Sequence, residues 1–142
     1  LKQSANAHVL NLAPPLSLNP RWYAPHLAYS MAKFGMSFCV LGMAEEFRND
    51  NIAFNALWPR TAIATSAVQN HLGGDMTMRL SRKPQIMADA AYEIFKRSSR
   101  ECTGNFFIDD EVMSEAGVKD LRHYQVDTSL EPNQLIPYFF ID

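Results

Sequence analysis

Ala28-Tyr29-Ser30-Met31-Ala32-Lys33 is the stretch on which the reading of this chain turns. It stands at the head of a long apolar-periodic segment and sets a tyrosine and a lysine four residues apart. On a helix, positions i and i+4 lie one above the other on a single face. The ammonium and the phenol oxygen can then face one small volume. A nearby cation favours the phenolate and lowers the phenol pKa from its ordinary value of about 10. A phenol tuned in this way gives or takes a proton near neutral pH, which suits interconversion of a carbonyl and an alcohol. The same spacing also describes an aromatic on the packed side of a helix beside a solvated lysine. The flanking elements have to decide between the two.

Those elements alternate. Residues 8–13 form a short apolar run stopped by Pro14-Pro15, which can neither continue a central strand nor enter a helix interior. A strand therefore runs into a loop, residues 14–25, that is rich in proline, serine and asparagine and carries Trp22 and Tyr23. A helix is expected over 26–49. Its apolar positions include Met31, Phe34, Phe38, Val40, Leu41 and Phe47, with Gly35 and Gly42 allowing close approach of another backbone. Residues 51–58 read as a second strand stopped by Pro59. Over 60–82 the periodicity is poor, and Gly73-Gly74, Met76, Met78 and Leu80 indicate a mobile, adaptable segment. Residues 84–96 read as an amphipathic helix on Ile86, Met87, Ala90, Ala91, Ile94 and Phe95. A third strand is expected over 103–109, then a short helix over 110–116 with Gly117 as its stop, then an irregular tail from Lys119. The first two strands are nearly continuous apolar runs. That pattern and the alternation give an α/β fold, a parallel sheet with helices packed on it. Ligands bind beyond the carboxyl ends of such strands, where Ala13, Tyr29, Pro59 and Thr65 fall.

Composition narrows the field. The chain's 142 residues suffice for one domain with a real core. A net charge of −2 lacks the basic excess of a nucleic-acid surface. No apolar run reaches the length of a membrane span, the longest, 38–44, being interrupted by Gly42. Cys39 and Cys102 form no disulfide framework and read as small buried residues of a reducing compartment. His8, His26, His71 and His123 show no ligand spacing, so no metal is expected. Leu1-Lys2-Gln3-Ser4 reads as the tail of a helix begun earlier, without a signal or transit pattern, so the chain is expected to be part of a longer protein. Phe140-Ile141-Asp142 is no peroxisomal address, and an intracellular, soluble, cytoplasmic location is expected.

The ordered set of motifs resembles the C-terminal half of a short-chain dehydrogenase/reductase. It runs Asn11-Leu12-Ala13, Tyr29 with Lys33, Asn55-Ala56-Leu57-Trp58-Pro59, Ile63-Ala64-Thr65, then Thr103-Gly104-Asn105-Phe106. The wording of residues 41–47, 55–59 and 88–92 further resembles a hydroxysteroid dehydrogenase-like subgroup. The resemblance implies that 1–142 is the C-terminal part of a single domain. It would hold the last three strands and flanking helices of a Rossmann-type doubly wound parallel sheet, without the N-terminal dinucleotide-binding half. The implied activity is NAD(P)(H)-dependent interconversion of an alcohol and a carbonyl on an apolar, steroid- or fatty-acyl-like substrate. Tyr29 would be the general acid/base. Lys33 would lower its pKa and hydrogen-bond the nicotinamide ribose. Leu12, Ala13, the backbone through Pro59, Arg60, Thr61 and Ile63, and the Thr65 hydroxyl would hold the nicotinamide end. The implied cofactor is NADP, with NAD the alternative. Family members pair the Tyr29 helix with its copy in a neighbouring subunit, so a homodimer or homotetramer is expected. The Met76–Met78 segment resembles the family's substrate lid, and Trp22, Tyr23 and Trp58 either line a cavity or pack.

Two departures stand out. The family's catalytic serine follows the first strand, where this chain has Ala13-Pro14-Pro15; Ser17 either swings into the role or is a solvated loop serine. Arg60 replaces the glycine after the motif proline, and an extra residue precedes Ile63, so the cofactor loop is reshaped. Arg60 either pairs with a phosphate or carboxylate or is solvated. No GxGxxG phosphate loop is present in the chain. The alternative readings are a Rossmann-fold nucleotide- or lipid-binding protein with little catalysis, and an inert fragment.

Overall fold

β1 (Ala7–Asn11), α1 (Leu27–Glu46) and β2 (Ile52–Trp58) open the element order of the computed structural model, which describes residues 1–71 and 73–141. α2 (Ser66–His71), α3 (Gly74–Arg79), α4 (Gln85–Phe95), β3 (Phe106–Ile108) and α5 (Asp109–Glu115) follow. The fold is α/β, a three-stranded parallel sheet in the order β1-β2-β3 with flanking helices. β1 and β2 pair in parallel, in register from Ala7↔Ile52 to Asn11↔Ala56. Every residue of β2 is buried, as a central strand covered on both faces requires.

The chain divides into two compact units. The first comprises Leu1–Trp58, Ile94–Phe107 and Phe139–Asp142. Here α1 packs on the sheet through Ala44, against Ala7, Ile52 and Phe54, and through Val40, against Ala56. Full burial of one such aliphatic side chain contributes roughly 1.5–3 kcal/mol. The buried amide of Asn55 is fully used. Its Nδ2 donates to Cys102 O at 2.7 Å, and its Oδ1 accepts the Asn105 main-chain and side-chain N–H groups at 3.0 and 2.9 Å. This locks the segment before β3 onto β2. Gly104, at φ +78, donates to Phe54 O at 2.7 Å, a left-handed turn that glycine enters without steric cost.

The second unit comprises Pro59–Glu93 and Ile108–Tyr138. Isolated bridges join Thr61 to Pro137, Ile63 to Arg82 and Arg82 to Gln125. α5 ends as expected on Gly117 (φ +89), which donates to Ser114 O while Val118 donates to Met113 O.

Three expectations need correcting. On α1 the buried positions are Ser30, Phe34, Ser37, Val40 and Ala44, whereas Met31, Phe38 and Leu41 face outward. Small and hydroxyl-bearing residues occupy the packed side because the helix must approach both the sheet and main-chain carbonyls of the 14–25 loop. Cys39 is accordingly exposed, not buried. Among the described residues α1 is also the one helix long and apolar enough, by length and composition, to cross a membrane, although Val40 and Ala44 pack on the sheet. Finally, much of 60–82 is ordered into α2 and α3, short helices whose apolar stripe is too brief to show as a period.

Candidate active site

In the first unit, α1 places Tyr29 and Lys33 one turn apart on its surface, and β1 delivers Leu12 and Ala13 just beyond its last residue. The Lys33 ammonium donates to Leu12 O at 3.2 Å and lies 5.2 Å from the centre of the Trp58 ring. Partial burial lowers the Lys33 pKa from its ordinary value. An ammonium has three donors, so two remain unclaimed among the described residues. Such a group fits a ribose hydroxyl pair. Ala13 is fully buried under Val40 and Ala56, and it offers no side-chain donor.

The loop between β1 and α1 is pinned by hydroxyls of α1. Ser37 donates to Pro14 O at 2.7 Å, and Ser30 donates to Trp22 O. Ser17 lies in this loop. Its hydroxyl accepts the Asn19 N–H at 3.2 Å, and its carbonyl accepts the Tyr23 hydroxyl at 2.6 Å. Asn19 in turn accepts the Arg21 N–H and starts a 3-10 turn at Pro20.

Tyr29 is 38% exposed, with its ring against two aromatics from the end of the chain. Phe140 stacks on it at 5.9 Å and 15°, and Phe139 meets it edge-on at 6.0 Å. Trp58 is buried, and its indole N–H donates to Phe139 O at 2.7 Å. The irregular tail therefore supplies residues beside Tyr29 that periodicity does not reveal. The signal available was the Phe139-Phe140 doublet itself, an aromatic pair with no element to explain it.

The second unit holds Pro59, Arg60, Thr61, Ile63 and Thr65. Pro59 and Thr61 are buried, and the Thr61 hydroxyl has no hydrogen-bond partner. The Thr65 hydroxyl accepts the Val68 N–H at 3.4 Å, where α2 begins. Arg60, a part-exposed side chain, pairs with carboxylates: its Nε contacts both Asp110 oxygens at 2.8 Å and its Nη2 donates to Glu111. Burial works against the Arg60 charge, but the two carboxylates outweigh it and raise its pKa. Asp109 is fully buried and accepts the Arg60 and Asp110 N–H groups at 2.9 and 2.8 Å.

No protein-family model matches the chain. Hydroxysteroid dehydrogenase-like protein 2 of Rattus norvegicus is 54% identical over all 142 residues, which make up 26% of that protein. The Xenopus laevis protein of the same name is 51% identical over 142 residues, 33% of its length. The chain thus spans about a quarter to a third of these curated relatives. A crystal structure of a short-chain dehydrogenase from Mycobacterium thermoresistibile superposes with a TM-score of 0.87 at 46% identity, covering 99% of this chain and 49% of that one. Along its whole length, then, the chain is similar in fold to half of a short-chain dehydrogenase and in sequence to hydroxysteroid dehydrogenase-like protein 2.

Proposed function

We propose that the protein carrying this chain is an NAD(P)(H)-dependent oxidoreductase that interconverts an alcohol and a carbonyl on an apolar substrate. The observation that carries the reading is the placement of Tyr29 and Lys33 one turn apart on α1, with the Lys33 ammonium held at Leu12 O beside the end of β1. A nicotinamide cofactor, NADP or NAD, would supply or accept the hydride. Tyr29 gives its phenolic proton to the carbonyl oxygen as negative charge develops there, and takes it back in the oxidation direction. Lys33 favours the phenolate through its charge and has donors left for the ribose. Leu12, Ala13 and the backbone of Pro59, Thr61 and Ile63 would border the nicotinamide. Ser17 is the candidate for the hydroxyl that polarises the carbonyl. Thr65 would contribute only if its hydroxyl left the start of α2, and Arg60 acts here as a brace on Asp110 and Glu111.

In this reading residues 1–142 are the C-terminal part of a larger domain, and further strands pair with the free edge of β1. The relatives' greater length and the edge position of β1 among the described strands support it. Pairing of α1 with a second copy, as homodimer or homotetramer, belongs to the same reading.

The test is oxidation of NADPH and NADH by the full-length protein across a panel of ketones and fatty aldehydes. Turnover that disappears in Tyr29→Phe, with cofactor affinity retained, is the expected result. Near-native turnover in that variant would remove Tyr29 from the mechanism. A second reading, a nucleotide- or lipid-binding protein with little catalysis, is favoured by Ala13-Pro14-Pro15 at the serine position. Cofactor binding without turnover on any substrate would select it.

A further inference from the structure

We propose that the second unit holds a binding cleft for a small hydroxylated phosphate, a compound of the sugar-phosphate class. The cleft has a volume of about 430 Å³, within the range of small-molecule sites. Arg82 and Gln125 form its buried part, and Lys119 and Arg122 its exposed part. All four residues belong to the second unit, so the site does not depend on Tyr29 chemistry.

Backbone pairing brings the two buried side chains together. An antiparallel bridge sets Arg82 opposite Gln125, flanked by the Val126 N–H donating to Ser81 O at 3.0 Å and the Lys83 N–H donating to Tyr124 O at 2.6 Å. Residues opposite one another in such a pair project from the same face. Arg82 is 6% exposed and Gln125 2%. Arg82 Nη1 faces Asp110 Oδ2 at 3.4 Å and Asp109 Oδ1 at 3.9 Å, but the buried Arg82 Nε has no hydrogen-bond partner. Gln125 Oε1 is likewise buried without one. Buried polar atoms nearly always find partners. A donor and an acceptor left open beside one cleft call for a ligand that brings both an acceptor and a donor.

The exposed part selects the charge. Lys119 makes no hydrogen bond or ion pair among the described residues. Arg122 spends its Nε on Asp120 Oδ1 at 3.3 Å and keeps its Nη groups. Two carboxylates also line the cleft, and both are engaged. Asp120 Oδ1 accepts the Arg122 main-chain N–H as well, and Glu131 exchanges capping bonds with Gln134 at the turn that begins at Pro132. Three cations beside two occupied carboxylates suit an oxyanion. A phosphate, with nearly two negative charges at neutral pH, answers them better than a singly charged carboxylate. With the phosphate oxygens on Lys119, Arg122 and Arg82, a ligand hydroxyl donates to Gln125 Oε1. Leu121 and Pro132 give the carbon frame an apolar wall.

The experiment titrates the full-length protein calorimetrically with glucose phosphate (the phosphate on the primary hydroxyl), inorganic phosphate, gluconate and glucose. Glucose phosphate is expected to bind most tightly and to raise the thermal midpoint, phosphate and gluconate to bind more weakly, and glucose to give no heat. Lys119→Ala and Arg122→Ala, both at exposed positions, should each weaken glucose phosphate and inorganic phosphate alike by about three- to fivefold. Gln125→Met should erase the advantage of glucose phosphate over inorganic phosphate and leave the latter within about twofold. Should that buried substitution fail to fold, the two exposed variants still decide the matter. Absence of heat and of a thermal shift at about 10 mM glucose phosphate overturns the proposal, and water alone then serves Arg82 Nε and Gln125 Oε1. Unchanged affinity in Lys119→Ala and Arg122→Ala overturns the site. Gluconate binding as tightly as glucose phosphate overturns the phosphate head, and inorganic phosphate doing so overturns the hydroxyl contact.

Discussion

The Lys33 ammonium donates to the main-chain carbonyl of Leu12 at 3.2 Å, joining the helix of Tyr29 to the residue that follows β1. One side chain thereby ties the proposed acid/base to the proposed cofactor shelf. The bond also explains why a half-buried lysine stays on this face: a carbonyl and the Trp58 ring partly replace the water it gave up.

Replacing Lys33 by methionine keeps most of the length of the side chain and removes the charge. Turnover is expected to fall on the order of a hundredfold, and cofactor affinity to weaken, because both the phenolate and the ribose lose their partner. Steady-state rates and calorimetric titration with NADPH check this. An unchanged kcat with weakened cofactor would leave Lys33 as a binding residue alone. The stability sign is separate. Burial lowers the folded Lys33 pKa below 10.5, so the unfolded chain holds more protons just below that value. The wild type therefore gains stability as pH rises through that window, and Lys33→Met should remove this slope.

Ser37 offers a test of the loop's anchorage. Its buried hydroxyl donates to Pro14 O at 2.7 Å and approaches Lys33 O at 3.3 Å. Ser37→Ala leaves the Pro14 carbonyl without that donor, a loss of about 1–3 kcal/mol. The thermal midpoint of the full-length protein is expected to drop by several degrees. Activity should fall further than stability does, since Pro14 follows the Leu12–Ala13 shelf directly. An unchanged midpoint would mean that the loop carbonyl is satisfied in another way.

What the sequence disclosed, and what it withheld, follows from the same physics. β2 was legible because a nearly continuous apolar run ending at Pro59 has few other solutions. Tyr29 and Lys33 were legible because helical spacing alone brings them to one face. The packed side of α1 was not. Periodicity favours Met31, Phe38 and Leu41, whereas close approach to the sheet and to loop carbonyls selects Ser30, Ser37 and Ala44. Which carboxylates Arg60 meets was hidden for a related reason: Asp110 and Glu111, some fifty residues along the chain, take its donors. The Trp58–Phe139 bond is of the same non-local kind, as are the bonds from Asn55 to Cys102 and Asn105. Pairings set by tertiary approach leave no period to read.

Asp109 makes the last prediction, a pH dependence of stability. Burial is the main cause raising its pKa from 3.8; the Arg60 N–H, the Arg82 charge and the Asp110 N–H pull it back, and the Asp110 charge adds to the rise. Its Oδ2 is buried without a partner, and the nearest cation, Arg82 Nη1, stands 3.9 Å from Oδ1. With a raised pKa the folded state holds more protons than the unfolded state above pH 3.8. This group's contribution is therefore complete below 3.8 and is lost as pH rises through the folded value. Asp109→Asn keeps an oxygen for the Arg60 and Asp110 N–H groups and cannot ionise. Thermal unfolding of both proteins from about pH 3 to pH 8 should show the variant gaining on the wild type through that window, then keeping a constant difference from it above. The difference between the two curves reports Asp109 together with its coupling to Asp110. Curves parallel from end to end would mean that Asp109 ionises in the folded chain as it does in the unfolded one, and that Arg82 fully offsets its burial.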